Sequence, residues 1–290
     1  TSATLAGNTP IAPASGAWTL VSGSGTITNP ASPTSTVTGL GIGANVFQWT
    51  VNNGPCANGI TTDQVTITRF DPNQPVANAG PDQSACTPFT TATMAGSAVT
   101  FPATGTFIFE SATTTNTNTR SPNDTITNLG IGTNVFQWTV NNGPCGAPTT
   151  DQVAVTIFDQ NAQAAAAGPD QSVCSTNPVV TVTGNAPVGA ATGTWSIVSG
   201  TGTITSPNST TTTVTGLGVG TVVIRWTINN GSCGSSSDDL TVQVFSSANP
   251  VANAGPDQQF CAPTSSTTLA GSNLIAPATG QWTVVSGSGV

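Results

Sequence analysis

The sequence predicts an all-β protein built of tandem antiparallel β-sandwich domains. The string AGPDQ begins at Ala79, Ala167 and Ala254, so the offsets are 167 − 79 = 88 and 254 − 167 = 87. A period near 88 residues fits a small self-contained domain better than one turn of a solenoid. Apolar residues alternate over short runs between Gly, Pro and Asn turns. No window shows the 3.6-residue apolar periodicity of a helix.

The register of these motifs divides the chain into four segments, called repeats one to four below. By the same register, repeat one lacks its opening strand and repeat four holds only the first strands of a domain. We therefore expect the 290 residues to belong to a longer array. Short linkers, two of them with Pro, predict an extended, semi-rigid rod. The repeats are residues 1–72, 73–160, 161–247 and 248–290.

Each repeat predicts the same order of strands. A short strand ends at an L-A-G-type triplet, a strand with an aromatic pair follows, and a Thr-rich strand leads into a G-L-G corner. A strong period-2 strand and a final alternating strand complete the domain. All six tryptophans fall on two registers, which predicts core positions and a Trp pair that faces across the two sheets. These residues are Trp18, Trp49, Trp138, Trp195, Trp226 and Trp282.

Composition excludes several classes of protein. The chain has 11 acidic and 3 basic residues, no His and a net charge of −8, and only 5% of it is charged. Three arginines cannot form the basic surface that nucleic-acid binding needs. A hydrophobic fraction of 36% with regular alternation argues against disorder. No apolar run approaches the roughly 20 residues that span a bilayer.

The six cysteines also follow the repeat. Cys86 and Cys145 are 145 − 86 = 59 residues apart, and Cys174 and Cys233 are 233 − 174 = 59 apart. We expect these two pairs to form one disulfide in each repeat. The alternative is a metal site, but two cysteines per repeat without His make a poor zinc site. Disulfides imply an oxidising, extracellular location.

The motif order resembles a known family. It is similar to that of immunoglobulin-fold domains of the polycystic-kidney-disease (PKD) type. The motifs that carry this likeness are, in chain order, AGPDQ, L-A-G-S, W-T-V-V-S-G-S-G, G-L-G-x-G-x-N, F-x-W-T-V and D-x-V-T-I. The likeness is greatest to the cysteine-bearing version found in tandem in giant Bacteroidetes surface proteins, including gliding-motility-type adhesins exported by the type IX system. Two departures stand out: V-N-N-G-P-C at 51–56 replaces the usual Asp turn, and repeat two lacks the Trp-Ser-Gly pattern.

Candidate ligand and modification sites are few. Acidic residues near the junctions, such as Asp71 and Asp159, leave calcium binding open, although Ser246 replaces the Asp at the third junction. We predict no metal and no cofactor. Glu110, Arg120 and Asp124 form the most charged stretch, which we interpret as a solvated loop. Asp124-Thr125-Ile126 resembles a Bacteroidetes O-glycosylation acceptor, which makes Thr125 a possible site.

The predicted function is structural rather than catalytic. The chain has no His or Lys, no Cys with a base partner and no Gly-rich loop that opens a helix, so we expect no catalytic residue. We expect a segment of a secreted cell-surface filament or adhesin stalk, with self-association into a multi-chain fibre and an unknown surface or glycan target at a tip outside this segment. The alternative is a spacer or carbohydrate-binding module of a secreted hydrolase.

Overall fold

The computed structural model describes residues 2–56, 59–111 and 121–287, apart from the side chain of Ser111. Its regular secondary structure is almost entirely β-strand, which confirms the all-β fold class. Two compact units form. The first contains Thr1–Gln83 with Thr90–Val155, and the second contains Ser84–Phe89 with Thr156–Val290. Residues 84–89 therefore belong to repeat two by sequence but cluster with repeat three.

Repeat one folds into two small sheets around an apolar core. The first sheet has the order β1-β4-β3, and the second has the order β2-β5-β6. Leu5, Val37 and Leu40 pack against Trp18, Phe47 and Trp49 in this core. The strands are β1 (Ser2–Thr4), β2 (Ser15–Ser22), β3 (Thr26–Ile27), β4 (Thr36–Thr38), β5 (Gly43–Asn52) and β6 (Ile60–Arg69).

Repeat two has one more strand in its larger sheet. That sheet has the order β7-β12-β11-β9, and the small sheet pairs β10 with β8. A single 3₁₀ turn, Gly143–Cys145, follows β11. The strands are β7 (Gln83–Cys86), β8 (Ala92–Thr93), β9 (Thr104–Ser111), β10 (Thr125–Ile126), β11 (Gly132–Asn141) and β12 (Thr149–Phe158).

Repeat three is the same sandwich with a longer small sheet. Its sheets have the orders β13-β19-β18-β15 and β14-β17-β16, and β13 runs parallel to β19 while the other pairs are antiparallel. Its core draws Val182 and Val214 from one sheet and Ile224 and Val242 from the other. The strands are β13 (Gln171–Cys174), β14 (Val180–Thr183), β15 (Thr192–Ser199), β16 (Thr203–Ile204), β17 (Thr211–Thr215), β18 (Gly220–Asn229) and β19 (Ser235–Phe245). The 3₁₀ turn Gly231–Cys233 separates β18 from β19.

Five of the six tryptophans occupy the cores, whereas the predicted core position of Trp282 and the predicted pairing across the two sheets are wrong. Trp195 and Trp226 are direct cross-strand partners in one sheet, with ring centroids 4.8 Å apart. The antiparallel register places both rings on the inner face of that sheet, where they contact side by side. Trp18 and Trp49 repeat this arrangement. Trp282, in the segment 246–287 where no described residue forms a strand, is half exposed.

Candidate functional site at the link between repeats

A disulfide joins Cys86 of repeat two to Cys233 of repeat three. Their Cα atoms are 5.0 Å apart, and 147 residues separate them in sequence. The predicted pairs Cys86–Cys145 and Cys174–Cys233 are therefore wrong. Cys145 and Cys174 are exposed free thiols.

The path of β19 explains why repeat three cannot close its own pair. Cys174 lies beside Phe245, the last residue of β19, because β13 runs parallel to that strand. Cys233 lies two residues before Ser235, where β19 begins. An 11-residue strand is about 33 Å long, whereas a disulfide needs Cα atoms within about 7 Å. The two cysteines of one repeat therefore lie at opposite ends of the domain.

The observed bond follows a simple rule of register. The first cysteine of one repeat bonds the second cysteine of the following repeat, so the separation equals one intradomain spacing plus one period.

A docked loop brings the two sulfurs together. The Phe158 ring lies against Gly231, where a Cβ atom would clash with it, and Gly231 has φ +50°. Only glycine meets both demands without strain. Next to the disulfide, the hydroxyls of Ser84 and Ser232 are 2.6 Å apart. At the end of β12, Thr87 N donates to Phe158 O at 2.9 Å, which places the strand that carries Cys86 beside this ring.

An asparagine fixes the loop to the chain that precedes it. The Asn230 side-chain amide donates to Asp159 O at 2.7 Å. Its own carbonyl oxygen is buried and accepts no hydrogen bond within the described part of the chain. The side-chain nitrogen of Asn230 therefore makes the hydrogen bond that anchors the loop to Asp159, the residue that follows Phe158.

The junction between repeats one and two has the same docking contacts. Asn142 donates to Asp71 O at 2.7 Å. The Phe70 ring lies against Gly143, which has φ +54°. Cys145 ends this turn as Cys233 ends the turn in repeat three. This junction thus has the same docked loop as the junction between repeats two and three. Of the two cysteines that form the disulfide there, it has the equivalent of one, Cys145.

The junction carboxylates bind backbone groups. Asp151 accepts from Ala79 N and Asp238 accepts from Ala167 N, each at 2.8 Å. Asp71 and Asp159 cap tight turns by accepting from the N–H two residues further on. Within the described ranges, no group of three or more His, Cys, Asp or Glu residues could hold a metal ion.

The other predicted site residues are dispersed. Thr125 is exposed on β10, and its hydroxyl is 3.2 Å from that of Thr93 on β8. O-glycosylation of Thr125 stays a prediction. Glu110 is exposed on β9, whereas Arg120 is outside the described residues. A surface cleft of about 570 Å³ in repeat three is lined by Pro187, Ala191, Thr192, Gly193, Thr194 and Asn208, without an aromatic ring.

Comparison with known proteins gives structural neighbours only. No protein-family model matches the chain, and no curated protein matches it. The PKD domain from KIAA 1837 protein is 26% identical over 31% of this chain and 92% of that domain, with a TM-score of 0.26. Dpr2 Ig1–Ig2 in complex with DIP-Theta Ig1–Ig3 is 11% identical, over 80% of this chain and 90% of the other, with a TM-score of 0.47. Drosophila N-cadherin EC1–3 is 13% identical, over 80% and 89%, with a TM-score of 0.23. The assignment as tandem immunoglobulin-like sandwiches rests on the sheets and cores described above.

Proposed function

We propose that this chain is a structural segment of a secreted cell-surface filament or adhesin stalk whose successive repeats are locked by disulfides. The observation that carries the proposal is the Cys86–Cys233 bond, which ties one repeat to the next. A disulfide of this kind serves an extended array under load, because a pulling force passes through the covalent bond. Bonds of this type persist only in oxidising surroundings, which supports an extracellular location.

The rest of the described chain is consistent with a scaffold role. Five of the six tryptophans are buried in the cores, so they are not available as a platform for sugars. The carboxylates of Asp151 and Asp238 near the junctions accept hydrogen bonds from backbone N–H groups, so they serve a structural role. No helix in the described ranges is long and apolar enough to cross a membrane. These features favour the stalk over the spacer or carbohydrate-binding module of a hydrolase, and we propose no enzymatic activity.

The finer points of the proposal come from the resemblance in sequence. The likeness to tandem domains of Bacteroidetes surface proteins makes type IX secretion the expected export route, with attachment, gliding or contact between cells as the use. Lateral association of several chains into a fibre is part of the same proposal. The hydroxyl-rich surface with few charges supports it, because little repulsion would hold neighbouring chains apart.

Force spectroscopy tests the load-bearing role. When the oxidised chain is pulled from its two termini, force passes from Cys86 directly to Cys233, so the residues between them cannot extend. Reduction should release those residues and lengthen the fully unfolded chain by about 500 Å, at about 3.6 Å per residue. The variant C86S/C233S should give the long trace in both conditions, and C56S should behave like the original chain. Equal contour lengths in oxidised and reduced chain would contradict the proposal.

Location is tested separately on the source cells. Antibody against the segment should label intact cells, and protease added outside should remove the label. Labelling only after permeabilisation would rule out a surface stalk, even if the force measurement had shown the disulfide to bear load.

A further inference from the structure

The docked loop of repeat three contains an Asn-Gly pair, and a separate contact fixes each residue of the pair. Asn230 donates its side-chain N–H to Asp159 O at 2.7 Å. Gly231 has φ +50° and lies against the Phe158 ring. Docking therefore needs a short amide side chain at the first position and glycine at the second.

An Asn-Gly pair is also the pair in which a polypeptide modifies itself most readily. The glycine nitrogen attacks Cγ of the asparagine, the bond from Cγ to Nδ2 breaks, and ammonia leaves with the proton that the attacking nitrogen loses. The cyclic imide then takes up one water molecule and opens to aspartate or isoaspartate. Glycine favours the attack because it has no side chain to hinder it. The reaction needs water as its only co-reactant.

The docked loop restrains the groups that must move in this reaction. The Gly231 N–H donates to Asn229 Oδ1 at 3.0 Å, so the attacking nitrogen is engaged. Asn230 O accepts from Cys233 N at 2.9 Å, which restrains the peptide group between Asn230 and Gly231. The amide nitrogen that would leave is held on Asp159 O. Ring closure turns both the side chain and this peptide group, so we expect it only after the loop has opened.

The products of the reaction do not fit the docked position. Asn230 Oδ1 is buried and accepts no hydrogen bond within the described part of the chain. An aspartate there would carry a negative charge at this buried point and would have no N–H to donate to Asp159 O. Both effects disfavour docking. Isoaspartate routes the backbone through the side chain, which changes the geometry of the turn.

This loop also presents one sulfur of the disulfide between the repeats. Cys233 ends the 3₁₀ turn that begins directly after Asn230, and it is bonded to Cys86. While this bond is intact, it keeps the loop close to its docking position. Once the bond is reduced and the loop leaves Phe158, the restraints on the Asn-Gly pair are lost together.

We propose that Asn230-Gly231 is a self-modification site that makes prolonged opening of the link between repeats two and three irreversible. Docking protects the pair, opening allows deamidation, and the new carboxylate prevents the loop from docking again. A link that opens briefly re-forms its disulfide, whereas a link that stays open loses this ability. Asn142-Gly143, which makes the same contacts with Asp71 and Phe70, is the equivalent site at the other junction. The inference does not depend on the stalk role, because it concerns the chemistry of one loop.

Peptide mapping of the full 290-residue chain tests the protection. The chain is incubated in heavy-oxygen water, which labels each new carboxylate, and Asn230 is followed in oxidised, reduced and denatured reduced chain. The unprotected reference is the synthetic peptide INNGSCG, residues 228–234. We expect Asn230 in the oxidised chain to react at least about tenfold more slowly than in the peptide, because only the open fraction reacts. Reduction should accelerate the reaction, and the denatured chain should approach the rate of the peptide.

Deleting one ring shows whether docking causes the protection. Phe158→Ala removes the ring that lies against Gly231 and leaves the Asn-Gly pair unchanged. Deamidation of Asn230 in the oxidised chain should accelerate at least about fivefold, because the open fraction rises. Phe245→Ala is the matched control, because this ring ends β19 as Phe158 ends β12, and the length of β19 separates it from the loop. Circular dichroism checks the fold of both variants, and the comparison of oxidised with reduced chain needs no variant.

Asn230→Asp tests the irreversible step, because it carries the product carboxylate from the start. The chain, with its other four cysteines replaced by Ser, is reduced and then re-oxidised with oxidised glutathione. The yield of Cys86–Cys233 should fall at least about threefold, because an undocked loop lowers the effective concentration of the two thiols. Ser237→Asp, which adds a charge at an exposed position of β19, should leave the yield unchanged.

Three results would overturn the proposal. The first is deamidation of Asn230 in the oxidised chain as fast as in the peptide. The second is a rate that neither reduction nor Phe158→Ala increases. The third is a chain with Asn230→Asp that re-forms its disulfide as readily as the chain with Asn230.

Discussion

Single residues decide whether the repeats can be linked. Gly231 combines a positive φ with a ring packed directly over its Cα atom, and Cys233 follows two positions later on the same turn. Cys174 is exposed at the other end of repeat three, where Thr176 forms hydrogen bonds with its thiol.

Replacing Gly231 with Ala should undock the loop. The new Cβ would clash with Phe158 and occupy a left-handed conformation, which together should cost about 2–3 kcal/mol of the free energy of unfolding of repeat three. Gly216→Ala is the matched control, because Gly216 has φ +64° and nothing within 4 Å of a Cβ. It should cost only about 1 kcal/mol. Chemical denaturation measures both, and equal losses would show that the Phe158 contact is unimportant.

Cys174 should react with alkylating agents at lower pH than an ordinary thiol. Hydrogen bonds from the Thr176 side chain and backbone lower the pKa of this thiol below its ordinary value, so the reactive thiolate is present at lower pH. The pH profile of iodoacetamide labelling in C56S/C145S/C261S measures it. Adding Thr176→Val should move the midpoint of the profile upward. An unmoved midpoint would show that the hydroxyl does not act on the sulfur.

At the scale of elements, the corner before the long central strand depends on one buried amide. Asn134 Nδ2 donates to Gly130 O, Gly132 O and Val155 O, and Asn45 makes the same three bonds in repeat one. Repeat three has Val222 at this position. The amide joins the start of β11 to β12, so it fixes the corner to the sheet.

Asn134→Ala should destabilise repeat two by about 1–3 kcal/mol, because it leaves buried carbonyl groups without a donor. Asn134→Val places the residue of repeat three there and should lose as much, since the corner of repeat two was built around the amide. Thermal unfolding of the chain measures both changes. A loss below about 0.5 kcal/mol in both variants, the range of ordinary surface substitutions, would contradict this reading.

At the scale of the whole molecule, the repeats present similar hydroxyl-rich strands with few charges. No lysine is available to protect the sheet edges from pairing with another chain. Many weak contacts between equivalent patches would add up along an array.

We therefore predict concentration-dependent lateral association of the chains. Light scattering should show growth in mass with concentration, and electron microscopy should show chains side by side with contacts repeated at about one domain length. Introducing Lys at an exposed position of an edge strand, such as Thr183→Lys on β14, should reduce it. Single particles at all concentrations would leave the stalk as a single chain.

The all-β class, the domain period and most of the core can be predicted from the amino-acid pattern. The alternation of apolar and polar residues indicates strands with one buried face. The period of 88 residues then gives the number of times that the set of strands is repeated. The same alternation predicts the buried positions of five tryptophans, whereas Trp282 is half exposed. Their pairing within one sheet was not predictable, because alternation gives the face of a side chain but not the strand next to it.

The disulfide pairing, in contrast, follows from how the strands pack in three dimensions. A spacing of 59 residues that recurs every 88 residues is equally a spacing of 147, so the sequence alone cannot separate a bond within a repeat from a bond between repeats. The direction of β13 settles it. Because this strand runs parallel to β19, the first cysteine is carried to the end of the domain, far from the second cysteine of its own repeat. The equivalent strand β7 carries Cys86 to the loop of the repeat that follows.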